Sequence, residues 1–142
     1  WALVEGPVLF LNFEHLRSHC HGVLYGTGRL SHRVLAWLAL QTREDFQLEH
    51  FPDYDPVGLS EFIRLRRALG ARVRLHLPED LGERFRRFSK RSLLRKRENQ
   101  NVLGRVRKSS LPEVRTVLRL IHEFNAGLEQ EQLLIESMSS SA

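Results

Sequence analysis

The chain has 142 residues, 42% of them apolar, which suits one domain with a buried core and excludes a disordered polymer. No apolar run approaches the length of a bilayer-spanning helix, and no basic-then-apolar leader opens the sequence, so neither a membrane span nor a signal segment is expected. Net charge is +5, and the single cysteine, Cys20, excludes an internal disulfide and suits a reducing cytoplasm.

The elements read as alternating strands and helices. Trp1 to Val4 is a short apolar strand that opens the chain without a methionine, as expected of a fragment of a longer protein. It ends at Glu5-Gly6-Pro7, and Pro7 suits the first turn of a helix over Val8 to His19. Gly22 to Tyr25 is a second strand closed by the turn Gly26-Thr27-Gly28, and Ser31 caps a helix in which Trp37, Leu38 and Leu40 are core candidates. Phe46 to Phe51 alternates as a third strand, and Leu59 to Leu69 recurs at helical spacing up to Gly70. Arg72 to Leu77 alternates as a fourth strand, stopped by Pro78. Helices are expected at about 80–97, 112–124 and 128–136, the second with an apolar stripe of Val114, Val117, Leu118 and Ile121, followed by a disordered tail at 137–142. Strand-helix alternation predicts an α/β fold with about four mostly parallel strands, helices on both faces and a helical C-terminal part. The domain is expected to span 1–136.

In such a sheet, sites form beyond the carboxyl ends of the strands, where Glu5, Gly26-Thr27-Gly28 and Asp53-Tyr54-Asp55 all fall. Asp53 and Asp55 are two apart, so in extended backbone they point to one side and can share a hard cation such as Mg²⁺. The same Asp-x-Asp-Pro-x-Gly could equally be a plain turn. Gly26-Thr27-Gly28 lacks the Lys of a phosphate-binding loop and reads as a turn. His19-Cys20-His21 has no second ligand pair for zinc, and neighbouring side chains diverge in direction.

Charge is unevenly spread. Residues 84–108 hold eleven Lys or Arg against one acid, Glu98, a net of about +10 within a chain whose total is +5. A polyanion-binding face follows, with Arg84, Arg87, Lys90, Arg91, Arg95, Lys96, Arg97, Arg105 and Lys108 as DNA-binding candidates. A solvated basic face, or one that meets an acidic partner protein, would carry the same charge.

A glutamate after the first strand and Asp-x-Asp after a later one resemble the Toprim domain of topoisomerases, primases and related nucleases. Val4-Glu5-Gly6-Pro7-Val8-Leu9-Phe10, Leu24-Tyr25-Gly26-Thr27-Gly28, Asp53-Tyr54-Asp55-Pro56-Val57-Gly58 and Gly127-Leu128-Glu129-Gln130-Glu131 follow one another along the chain. Together they look like the C-terminal Toprim domain of the JetD nuclease subunits of Wadjet (MksBEFG) plasmid-defence systems, akin to the topoisomerase VI A subunit. The resemblance implies a Rossmann-like Toprim fold and a cytoplasmic Mg²⁺- or Mn²⁺-dependent DNA endonuclease that hydrolyses plasmid DNA. It also implies SMC-type condensin partners and a homodimer. Glu5, Asp53 and Asp55 would be metal-binding and catalytic, and Glu129 and Glu131 would complete the metal shell or orient its waters. Those last two also suit a helix start as surface acids. The family commonly has Asn where this chain has Gly6, and a register using Val8 to Leu11 as the strand would leave Glu14 as the first acid. Only Tyr25 and Tyr54 are available as tyrosine nucleophiles, both in or beside the sheet, so hydrolysis is expected rather than strand passage. An inactive DNA-binding or assembly module, and a nuclease acting on structured RNA, are the competing expectations.

Overall fold

The computed structural model describes residues 1–16, 18–41 and 45–135; the expected tail at 137–142 lies outside them. Strand β1 (Ala2–Val4) leads to helix α1 (Pro7–Leu11), and β2 (Val23–Tyr25) to α2 (His32–Ala39). Strand β3 (Leu48–Phe51) leads to α3 (Pro56–Leu69) and β4 (Val73–Leu75). Helices α4 (Leu81–Phe88), α5 (Arg91–Arg95), α6 (Arg97–Val106) and α7 (Pro112–Phe124) follow, and 3-10 turns occupy Phe13–Leu16, Gly70–Arg72 and Gln130–Leu134.

The four strands form one parallel sheet in the order β2-β1-β3-β4. Central β1 is buried at every residue, because a parallel strand covered on both faces has no solvent side and needs no alternation. Consecutive residues of β3 show the two faces. The His50 ring stacks toward Phe62 of α3, while Phe51 meets the edge of Phe13 from the turn after α1 at 5.1 Å. Helix α2 packs beside α3. The α/β architecture and the four parallel strands expected from the alternation are therefore present.

Several expected elements differ, each for a local reason. The helix expected over 8–19 stops at Leu11, because the Asn12 amide donates to the Val8 carbonyl at 2.8 Å and takes over a helical acceptor. The helix expected over 80–97 is three segments, α4, α5 and α6, the last running on to Val106. The break falls at Lys90, whose backbone must be extended to exchange hydrogen bonds with Gly127, at 2.8 and 3.1 Å. Expected helix 128–136 is instead a bridge at Leu128 followed by the 3-10 turn Gln130–Leu134. Leu128 is held out of helical geometry by its two backbone bonds to Tyr54, at 2.8 and 3.1 Å. In α2, Leu38 is buried as expected, but Trp37 and Leu40 are exposed, since only one face of that helix meets the sheet and α3. The α7 stripe of Val114, Val117 and Ile121 is buried, and Leu118 packs against it.

Arg84 also departs from expectation. It is buried, with Nε donating to Asp80 Oδ1 at 2.8 Å and Nη1 donating to the Gln132 and Ile135 carbonyls. It anchors the C-terminal 3-10 turn onto α4 and is withdrawn from the basic surface. Arg84→Ala is expected to lower stability by about 2–3 kcal/mol in urea unfolding, since buried carbonyls lose a charged donor. The salt dependence of any DNA binding by the folded fraction is expected to stay at the wild-type value.

Candidate functional site

In the order β2-β1-β3-β4, the chain leaves β1 in one direction to reach β2 and returns in the other to reach β3. The crevice beyond the carboxyl ends of β1 and β3 is thus a topological switch point, where the connections part and leave room for a ligand. Glu5 follows β1 directly, and Asp53 and Asp55 follow β3. Because Val8 to Leu11 belongs to helix α1, the register that would use Glu14 is not formed; Glu14 lies exposed in the Phe13–Leu16 turn.

Each acid is held differently. Glu5 Oε1 lies 2.7 Å from His50 Nε2, on a fully buried ring whose Nδ1 has no hydrogen-bond partner. Among the described residues, the bond that this ring makes is the one that orients Glu5. Asp53 Oδ1 accepts from the Gln130 backbone N–H at 2.9 Å and from Gln130 Nε2 at 3.4 Å. The Gln130 Oε1 in turn accepts from the Gly6 N–H at 3.2 Å. One buried glutamine thus ties the end of β3 to the end of β1. Its neighbour Glu131 presses so closely on Gly6 that a Cβ there would sit 2.8 Å from Glu131 Oε1. Gly6, where the resembled family commonly has Asn, is the residue that leaves room for this acid.

Asp55 is the exception. It is the N-cap of α3, buried, with Oδ1 accepting from the Gly58 N–H and Oδ2 from Asn99 Nδ2, both at 2.9 Å. Both oxygens serve the helix start and its junction with α6. Among the described residues no three His, Cys, Asp or Glu side chains are arranged to hold a metal ion. The expected cage of Glu5, Asp53 and Asp55 is therefore not formed, because capping turns Asp55 inward. The charge of Asp53 reaches Glu5 and Glu131, but these three acids are not arranged as a metal-ligand set either. Mg²⁺ and Mn²⁺ need only one or two carboxylates, completing their shells with water and substrate phosphate. Glu129 is engaged elsewhere, in an ion pair with Lys90. At the other end of the sheet, the thiol of Cys20 donates to Glu49 Oε2, and His19 and His21 join no metal cluster among the described residues.

The electrostatics centre on Asp53. Burial pushes the Glu5 carboxyl above the usual carboxylate range, opposed by the His50 hydrogen bond and reinforced by the charges of Asp53 and Glu61. Burial likewise raises Asp55, against the Gly58 and Asn99 bonds, and Asp53 adds to the rise. Glu131 is raised by burial and by repulsion from Asp53 and Glu129. Carboxylates crowded in this way repel one another when ionised, and a bound cation would relieve that repulsion.

Glu5 opens into a cleft of about 780 Å³ between α3 and the C-terminal end of α6, whose cationic wall includes Arg29, Arg64, Arg67, Arg105 and Lys108. Buried Glu61 is held there by Arg64 and, at 3.3 Å, by Arg29 Nε, and it accepts from the Leu30 N–H. The basic run is thereby divided: Arg105 and Lys108 reach the cleft with Glu5. Arg91, Arg95, Lys96 and Arg97 are exposed on and around α5, Lys90 neutralises Glu129, and Arg87 lies over the Phe88 ring at 5.3 Å.

Sequence reasoning missed His50, Gln130, Glu61, Asn99 and the arginines of α3. His50, buried in β3 three residues before Asp53, was a readable signal, as was Gln130 inside the Leu-Glu-Gln-Glu run. Nothing local marks Asn99, whose role depends on α6 docking against α3. Compared with protein-family models, curated proteins and solved structures, the chain matches none of them.

Two predictions follow from these contacts. A Cβ at Gly58 would lie 2.0 Å from the Asp53 carbonyl oxygen, so Gly58→Ala is expected to cost about 3 kcal/mol in urea unfolding. Gly104→Ala, on α6 with open space around it, is expected to stabilise by about 0.5–1 kcal/mol. The second concerns pH. Because the raised Glu5, Asp55 and Glu131 hold their protons more tightly when folded, stability should fall as pH rises from about the ordinary carboxylate value through the raised ones. Glu5→Gln should shrink that fall and raise the metal-free melting midpoint at neutral pH by a few degrees, at about 2–4 °C per kcal/mol. Melting curves across the pH range check both outcomes.

Proposed function

We propose that this chain is the Toprim-type catalytic domain of a Mg²⁺- or Mn²⁺-dependent DNA endonuclease that hydrolyses phosphodiester bonds. The observation that carries the reading is the Gln130 bridge, which ties the strand ends bearing Glu5 and Asp53 together at the switch point, where Glu5 opens into a cationic cleft. One or two of Glu5, Asp53 and Glu131 would hold the metal, the rest of its shell being water and phosphate, and His50 would keep Glu5 oriented. A divalent ion bound there would supply an acidified water and neutralise charge on the phosphate. Arg67, Arg105 and Lys108 would hold the nucleic-acid backbone without reading bases.

Hydrolysis is favoured over a tyrosyl-DNA intermediate. Tyr54 is buried, its hydroxyl donates to the His76 carbonyl, and burial pushes its ionisation far above the usual range. Tyr25 stacks on Phe10 at 5.1 Å. The plasmid substrate, the SMC-type complex, the homodimer and the cytoplasmic setting come from the motif resemblance. A second reading, an inactive DNA-binding or assembly module, is favoured by the capping role of Asp55, which removes one expected ligand.

The two readings part on one experiment. In a plasmid-nicking assay with Mn²⁺, Asp53→Ala and Glu5→Ala are each expected to reduce cleavage by about 10²-fold or more. Asp55→Asn, which keeps a capping acceptor, is expected to retain measurable cleavage. Cleavage equal to wild type in both alanine variants, or no cleavage by wild type under either metal, would overturn the nuclease reading and leave the binding module. Faster cutting of structured RNA than of plasmid would move the substrate to RNA.

A further inference from the structure

Helix α6 separates two cationic clefts. The first contains Glu5 and takes Arg105 and Lys108 from the C-terminal end of α6. The second, of about 690 Å³, lies between α6 and α7 and is lined by Arg107, Arg115, Arg119 and His122 over an apolar floor that includes Leu103 and Leu118. Every ionisable residue lining the second cleft is basic.

Two further features set it apart. Arg115, Arg119 and His122 stand at i, i+4 and i+7 on α7, one face of the helix, where the two guanidinium charges repel. Among the described residues none of these four side chains makes an ion pair or a hydrogen bond. Elsewhere Arg29 and Arg64 pair with Glu61, Arg66 with Glu113, Arg84 with Asp80, Arg86 with Glu83 and Lys90 with Glu129, whereas no acid lines this cleft. A concave, uncompensated set of arginine forks is suited to phosphate oxygens, which they can bind two at a time.

We infer that the α6–α7 cleft is a second binding site for the sugar-phosphate backbone of duplex DNA, continuous with the cleft at Glu5. Continuity follows from the shared turn: Arg105 and Lys108 face one cleft and Arg107, between them, faces the other. A polyanion leaving the Glu5 cleft passes over that turn into the second. A short acidic protein segment could fill either cleft alone, whereas a long, regularly charged polymer serves both. The identity of the polymer as DNA rests on the function proposed above; the cleft does not depend on cleavage.

The test is equilibrium binding of a duplex oligonucleotide to the full chain, without divalent metal, over a range of salt concentrations. The variant Arg115→Ala/Arg119→Ala is expected to reduce the slope of log affinity against log salt by about 1.8, roughly 0.9 for each lost phosphate contact. Arg115→Lys/Arg119→Lys is expected to retain the slope, since it retains the charge, and Arg33→Ala on α2 to leave it unchanged. All three positions are exposed, and melting curves matching wild type certify the fold. A wild-type slope in the alanine pair overturns the proposal. So does a loss of poly-glutamate binding with the DNA slope intact, which would assign the cleft to an acidic protein. Wild-type protein that binds with the expected slope yet never cuts would remove the nuclease reading and leave this cleft standing.

Discussion

The structure depends on a short backbone strap. Gly127 and Leu128 exchange hydrogen bonds with Lys90 on one side and Tyr54 on the other, joining the end of the helical C-terminal part to the end of β3. Neither bridge belongs to the sheet, yet together they decide where three later elements lie. They hold Lys90 extended and so separate α4 from α5. They keep Leu128 out of helical geometry. They also deliver Gln130 and Glu131 to the ends of β1 and β3, a separation of more than seventy residues in sequence. Backbone hydrogen bonds suit this task because a buried N–H or C=O left without a partner is expensive, so the pairing tolerates little slippage.

The site assembled by the strap is electrostatically unfavourable in isolation. Burial raises Glu5, Asp55 and Glu131, and Asp53 repels all three. A fold selected for stability alone would place amides or apolar groups there. Of the raised acids, Glu5 faces a cationic cleft, whereas Asp55 is compensated by Gly58 and Asn99. This division separates an acid that supports the fold from one that strains it. Groups whose ionisation is perturbed by burial and by specific neighbours in a crevice are the pattern expected of a functional centre.

How much of this was legible in the chain varies by residue. The parallel sheet was, because Trp1 to Val4, Gly22 to Tyr25 and Phe46 to Phe51 alternate with helical spacing and end at turn residues. The places of Glu5 and Asp53 beyond the ends of β1 and β3 were, because strand ends can be read from local pattern. That Asp55 caps α3 was not legible, since spacing two residues apart does not reveal which carboxylate a following helix will claim as its cap. Nor was the burial of Arg84. A basic run says nothing about which side chain turns inward, and Arg84 turns inward to satisfy the carbonyls of Gln132 and Ile135, almost fifty residues away.

Sequence alone determined the local quantities: which segments extend or coil, where strands end, that carboxylates lie at two of those ends, and that positive charge is concentrated late in the chain. These follow from backbone periodicity and side-chain chemistry, which act over a few residues. Tertiary structure decided which acids meet, through Gln130, and which become structural, through Asn99. It also divided one basic run into a buried anchor, an ion pair and two clefts. Those outcomes depend on hydrogen bonds and charges brought together by packing across the sheet and between α3, α6 and α7, distances that no local pattern encodes.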